Sequence, residues 1–306
     1  MQKFFILTPC LNATRYIDDT VLSVISQIGD FSVYYHVQDG GSSDGTVNKL
    51  ERWSEIIASG SCPQLRNDIS FSYSSLPDSG IYDAINNGFS HKFIHNSDGI
   101  MMTWINAGDR LEQGALQTVS RLRQTNPSIS WLSGGFAQIN DEGSVIASTS
   151  GGTPVSQVAM AAGLYEGRLL GFMQQEGVFW ASGLWKQSGG VINKALKLAG
   201  DFDLWRQFSK HAPCYKVNTI TGCFRRHESG LSSNIERYYK EIDTLLEGGD
   251  LDMRDRLVRK LHDLSDRRDG NGMIQAGFTG PVVQWDVSAN TWEIKMSIIN
   301  PQRPSS

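Results

Sequence analysis

Several signatures are missing from this sequence of 306 residues, and each absence removes a class of function. It has no apolar stretch of about 18 residues, which excludes a membrane-spanning helix and leaves only peripheral contact at the inner face of a membrane open. It has no C-x-x-C pair. Cys10, Cys62, Cys214 and Cys223 stand apart, their one short spacing is nine residues with no flanking His pattern, and buried free thiols are expected instead of a zinc site. It has no block of Lys or Arg. With 28 basic against 32 acidic residues the net charge is −4, so no nucleic-acid partner is expected. The N-terminal apolar run before Thr8 and Pro9 is too short for a signal peptide and reads as a first strand, which makes the expected location cytoplasmic.

What is present is the composition of an ordinary globular protein, 40% hydrophobic and 20% charged, long enough for one large domain and an appendage. The hydrophobic spacing alternates between the two regular periods. Lys3 to Leu7 reads as a buried strand, and Ile17, Val21, Val24, Ile25 and Ile28 then recur at helical spacing. Phe31 to Val37 is the next strand, followed by a helix with Asp44 as N-cap and Val47, Leu50 and Ile57 as its apolar stripe. Ile69 to Tyr73 and Ile100 to Ile105 are a third and fourth strand. Strands alternating with helices predict a parallel, right-handed wound sheet. After Asn126-Pro127, Trp131 to Ile139 and Ser144 to Thr149 predict a hairpin. Strands are further expected at Gln174 to Trp180, Tyr215 to Ile220 and Gly222 to Arg226, and a helix over Asp201 to Lys210. From Asn234 to about Arg268 the pattern suggests two helices outside the sheet, and strand-like segments with Trp285 and Trp292 follow.

Polar loops sit at the ends of three of these strands: Thr-Pro-Cys-Leu-Asn at 8 to 12, Gln-Asp-Gly-Gly-Ser-Ser-Asp-Gly-Thr at 38 to 46, and Asn-Ala-Gly-Asp at 106 to 109. Ligands of open α/β sheets bind in the crevice beyond the carboxyl ends of the strands, so these loops predict a nucleotide pocket. Asp39 can accept a hydrogen bond from a ring nitrogen of uracil or guanine.

Taken in order, TPCLNATRYIDDTVLSVISQ, VQDGGSSDGT, LPDSGIYDAINNGF, WINAGDRL, GDFDLW and FRRHESGLS resemble the motif series of the inverting family-two glycosyltransferases over roughly residues 3 to 232. The resemblance implies an α/β GT-A (Rossmann-like) fold: a central, mostly parallel sheet flanked by helices. It implies a glycosyltransferase domain over 1–232, with a nucleotide-binding half to 110 and an acceptor half beyond it, and a C-terminal helical extension and tail over 233–306. It also implies a reaction, transfer of a hexose from a UDP-, GDP- or dTDP-sugar to a glycan or lipid-linked saccharide hydroxyl with inversion, in the setting of bacterial surface-polysaccharide assembly.

By the same resemblance, Thr8, Pro9 and Asn12 line the nucleotide pocket with Asp39, while Asp78, Asp83, Asn106 and Arg226 lie along the donor. Gln175 and Glu176 bind sugar hydroxyls of the acceptor. Asp109 and His227 hold a divalent cation, Mn²⁺ or Mg²⁺, which needs hard oxygen ligands and takes one or two carboxylates plus phosphate and water. Asp201 is the base that takes the acceptor proton. The chain departs from the family at Asn106 and Gly108, where acids are commoner. That departure supports a second reading, a catalytically degenerate nucleotide- or glycan-binding module of a larger assembly.

Overall fold

The computed structural model describes residues 1–61, 68–95, 99–149, 151, 153–226, 234–247 and 251–300. In chain order the first half comprises β1 (Gln2–Cys10), α1 (Ile17–Ile25), β2 (Phe31–Asp39), α2 (Thr46–Ala58), β3 (Asp68–Ser75), α3 (Ile81–Phe89), α4 (Lys92–His95), β4 (Met101–Trp104), β5 (Arg110–Leu111) and α5 (Ala115–Thr125). The second half comprises β6 (Trp131–Ile139), β7 (Val145–Thr149), α6 (Gln157–Ala161), a 3₁₀ turn (Gln175–Gly177), β8 (Val178–Ala181), α7 (Ser182–Gln187), α8 (Gly200–Ser209), β9 (Tyr215–Arg225), α9 (Ile235–Glu247), α10 (Leu251–Asp266), α11 (Gly270–Gln275), β10 (Thr279–Asp286) and β11 (Thr291–Ile298).

Alternation along β1 shows how one sheet carries two cores. Phe4 and Ile6 join a cluster with Val33, Tyr35, Val37, Met101 and Leu132, whereas Phe5 and Leu7 join Trp104, Trp131, Trp180, Trp205 and Phe208 on the other side. Successive side chains of a strand point to opposite faces, so a strand buried on both reads as an unbroken apolar run, as FFIL does here. The strand order is β11-β10-β9-β6-β8-β4-β1-β2-β3, with β5 on β9 and β7 on β6. Five of the eight neighbouring pairs along that path are parallel, and β8 runs antiparallel to both its neighbours.

The indole cluster fixes the position of the functional helix. Trp205 of α8 stacks on Trp104 at 5.8 Å and on Trp131 at 6.0 Å, and meets Trp180 edge-on at 5.7 Å. All four indoles are almost wholly buried. Removing one from such a cluster costs about 3–5 kcal/mol, so α8 is held firmly against the sheet.

Three elements differ from the sequence expectation. Tyr215 to Arg225 is one strand of eleven residues, because its pairing with β6 resumes at Gly222 after a register shift that leaves Thr221 out of the ladder. The strand expected from Gln174 begins only at Val178, because Gln175 to Gly177 form a 3₁₀ turn, in which the Gln175 side chain donates to the Trp104 carbonyl. Residues 279 to 298 belong to the central sheet: β10 pairs parallel with β9, and β11 closes a hairpin on it. The C-terminal part expected as a helical extension and tail is therefore helical only through α9 to α11. Cys10, Cys214 and Cys223 are buried free thiols, and Cys62 lies outside the described residues. Among the described residues no helix is long and apolar enough to cross a membrane.

Candidate active site

The chain runs from β1 to β2 to β3 on one side and then returns to place β4 on the other side of β1, so the order reverses at β1. Such a reversal opens a crevice beyond the carboxyl ends of the strands. The loops that form it are tied to one another through their backbones: Gly40 donates to the Cys10 carbonyl at 2.9 Å, Leu76 to that of Asp39 at 3.0 Å, and Ala107 to that of Pro9 at 3.4 Å.

On the β2 side the carboxylate is saturated. Asp39 has no exposed surface, and its Oδ2 accepts from the Gly41 and Ser42 amides at 3.0 and 2.9 Å and from Ser75 Oγ at 2.6 Å. Its Oδ1 accepts from the Ser42 hydroxyl and from Cys10 Sγ. Burial pushes its pKa up, but the hydrogen bonds from Ser42, Ser75 and Gly41 outweigh that and hold it below the usual range. Asn12, at φ 50°, accepts from the Ser43 amide at 3.0 Å and donates its own amide to Ser42 Oγ at 2.7 Å, closing the first loop over the second. Asp44 precedes the N-cap, which is Gly45, and binds Thr14 and Thr46. The Thr8 hydroxyl points into the core to Tyr35 Oη at 3.0 Å, and Pro9 is buried, so both contribute backbone and shape to the pocket.

The next loop leans across this one. Asp78 accepts from the Gly80 amide at 2.9 Å, and its Oδ2 lies 2.7 Å from where a Cβ on Gly40 would be, which is why Gly40 carries none. Asp83 caps its own helix end, accepting from the Ser79 amide and hydroxyl at 3.0 and 2.9 Å, with Lys194 at 3.5 Å. Beside it a cavity of about 210 Å³ is lined by Gly80, Tyr82, Lys194, Lys197 and Arg237.

At the end of β4 the pattern inverts. Asp109 Oδ1 accepts from the Arg225 amide at 2.8 Å, yet burial drives its pKa up. Glu176, 4% exposed, is raised further by burial and then by the charges of Asp109 and Asp201. Asp201, in the first turn of α8, is raised to about 6 by burial, against opposing hydrogen bonds from backbone amides of its own turn. Glu176 Oε2, Asp201 Oδ1 and Asn106 Oδ1 are enclosed and have no hydrogen-bond partner. Arg225 does not compensate them. Its guanidinium donates to the Gly108, Asn140 and Asp141 carbonyls and pairs with Asp19 at 2.7 Å, over the ring of Tyr16.

The loop that carries Asp201 is gripped from two sides. The Tyr82 ring of α3 lies 2.6 Å from where a Cβ on Gly200 would be, so only glycine permits that approach. From α9, Glu241 Oε2 accepts three successive amides, those of Lys197, Leu198 and Ala199, at 2.9, 2.8 and 3.1 Å. Tyr238, one turn earlier, is close enough for the Asp201 charge to raise its pKa, after burial. Sequence reasoning missed Glu241 and Tyr238, and only the amphipathic spacing of α9 hinted that this helix packs on the rest.

The residues expected from sequence thus form two groups. Thr8, Pro9, Asn12, Asp39 and Asp78 surround the β1–β2–β3 end. Asn106, Asp109, Gln175, Glu176 and Asp201 converge at the β4 end, where Gln175 spends its side chain on Asn106 at 3.4 Å and on Trp104. The Arg226 side chain is exposed and His227 lies outside the described residues. Among the described residues no three His, Cys, Asp or Glu side chains form a cation cage.

No protein-family model matches the chain and no curated protein matches it. Solved structures do. The crystal structure of S. aureus TarS 1–349 in complex with UDP-GlcNAc aligns with a TM-score of 0.55 at 13% identity, over 90% of this chain and 82% of that one. The complex of the same fragment with UDP gives 0.52 at 13%, over 90% and 75%. A longer TarS structure gives 0.53 at 13%, and this chain spans only 44% of it. At this identity the likeness shows the fold alone: a central, mostly parallel sheet flanked by helices.

Proposed function

We propose that this protein transfers a sugar from a nucleoside-diphosphate donor to a glycan or lipid-linked hydroxyl with inversion. The observation that carries the reading is Asp201, a half-buried side chain in the first turn of α8 whose Oδ1 is enclosed and without a partner, in a fold that also builds a tightly bonded loop around Asp39. The likeness to TarS bound to UDP-GlcNAc and to UDP supports a uridine diphosphate donor.

In this reading the nucleotide lies over β1, β2 and β3. Asp39 takes the base by exchanging its bond from the Ser42 hydroxyl for one from the ring nitrogen, so the Asn12–Ser42–Ser43 closure has to loosen as the donor enters. The acceptor hydroxyl approaches from the α8 side and attacks the anomeric carbon. One C–O bond forms as the bond to the diphosphate breaks, and the hydroxyl proton passes to Asp201 Oδ1. With a pKa of about 6 this carboxylate is roughly tenfold more ionised than protonated at pH 7, and it is a stronger base than an exposed Asp. Asp109, with Asn106 beside it, would hold a divalent cation, and the unpartnered Asn106 oxygen and the acidic surroundings suit a hard ion. When bound, that ion neutralises the departing diphosphate. Glu241 and Tyr82 keep Asp201 in register, and such positioning supplies much of the rate.

Calorimetric titration of UDP, GDP, dTDP and CMP with Mn²⁺, then with EDTA, tests the reading. Metal-dependent binding of one nucleoside diphosphate is expected, and binding of none would favour the degenerate module.

A further inference from the structure

The loop at 106–109, Asn-Ala-Gly-Asp, carries a single carboxylate, Asp109. The fold brings a second one to it from 67 positions further along the chain, as the numbers of Asp109 and Glu176 show. Glu176 sits in the 3₁₀ turn before β8, and its backbone is held tightly there. Thr221 Oγ1 donates to the Gly177 carbonyl at 3.0 Å, and a Cβ on Gly222 would run into the Glu176 backbone. Its side chain is 4% exposed, within range of the charges of Asp109 and Asp201, and its Oε2 has no partner. Asn106 adds an enclosed carbonyl oxygen without a partner, while its amide side donates toward Gln175 at 3.4 Å and toward Asp109.

Buried acceptors without donors are costly, and a ligand that completes the set relieves that cost. The Arg225 guanidinium makes its hydrogen bonds elsewhere, although its charge and its amide favour an ionised Asp109, and among the described residues no cationic side chain forms an ion pair with Asp109 or Glu176. We infer that Glu176 supplies the second carboxylate of a divalent-cation site, with Asp109 and the Asn106 carbonyl oxygen as its partners. An all-oxygen set with two carboxylates suits Mg²⁺ or Mn²⁺, whose remaining positions go to water or phosphate. The inference deepens the proposed function and replaces the acceptor-contact role expected for Glu176. It rests on that reading for its purpose only, because the ion can be measured without any nucleotide.

The test is Mn²⁺ alone, followed by the electron paramagnetic resonance signal of free Mn²⁺, against wild type and the variants Glu176→Gln, Asp109→Asn and, as a control at the far end of β10, Asp286→Asn. Loss of either carboxylate ligand is expected to weaken Mn²⁺ about tenfold or more, while Asp286→Asn stays within about twofold. Glu176→Asp, which keeps the charge on a shorter arm, is expected to fall between wild type and Glu176→Gln. A melting temperature for Glu176→Gln no lower than wild type shows that it is folded. Mn²⁺ affinity of folded Glu176→Gln within twofold of wild type would overturn the inference, and so would a wild type that takes up no Mn²⁺. Intact Mn²⁺ binding with no nucleotide bound would instead remove the donor reading and leave this one standing.

Discussion

Two carboxylates a few strands apart in one sheet are treated in opposite ways. Asp39, at the end of β2, receives five hydrogen bonds and is held below the usual pKa range. Glu176 and Asp201, near the end of β4, each keep an enclosed oxygen with no partner and are held above that range. The saturated end holds itself together without a ligand, and in the proposed reading it gives up one bond, that from the Ser42 hydroxyl, when the base binds. The starved end is completed only by what binds there, so the free protein bears a cost that substrate or ion relieves.

That contrast can be broken from either end. Its largest expected effect comes from Asp39→Ala, which orphans the Gly41 and Ser42 amides and the Ser75 hydroxyl, and should cost about 3 kcal/mol or more in denaturant unfolding, with nucleotide binding lost. Glu241→Ala should act next. By freeing the three amides that hold the Asp201 loop it should lower kcat about 10- to 100-fold while leaving donor KM nearly unchanged, and Glu241→Gln should recover part of the loss. A smaller effect has the opposite sign. Glu176→Gln removes a buried carboxyl whose ionisation is opposed by burial and by Asp109 and Asp201, and should raise Tm by about 2–4 °C at neutral pH. The sign follows from linkage. A carboxyl raised in the fold keeps its full stability below its ordinary unfolded pKa and loses it as pH rises toward the folded value, so the gap between variant and wild type should widen from pH 4 upward. The rate should show the same group directly, kcat rising with pH through about 6 as Asp201 loses its proton.

Much of this arrangement was legible in the sequence, for reasons specific to particular residues. The apolar runs and the polar loops behind them placed β1, β2 and β4 and their ends, because a doubly buried strand and a strand-end turn each have a composition of their own. The place of Asp201 in the first turn of α8 was legible from that helix's apolar face, whereas its role as base was implied by the resemblance alone. The inward turn of Thr8 was also within reach, since it shares its parity with Phe4 and Ile6 on β1. Illegible were the roles set by distant contacts. Nothing local says that Arg225 spends its guanidinium on the hairpin turn at 140–141, that the Gln175 side chain donates to the Trp104 carbonyl, or that Glu241 crosses from α9 to grip the residues before α8. The sheet position of residues 279 to 298 was hidden for the same reason: strand pairing with β9 is a long-range choice.

The division of labour between the two ends is tested most directly by comparing Asp201→Asn with wild type in two assays, calorimetric affinity for the nucleoside diphosphate and turnover of its sugar. Transfer abolished with affinity within a few fold is the predicted result. Equal loss of both, or transfer that survives, would contradict the account by showing that Asp201 is not the base.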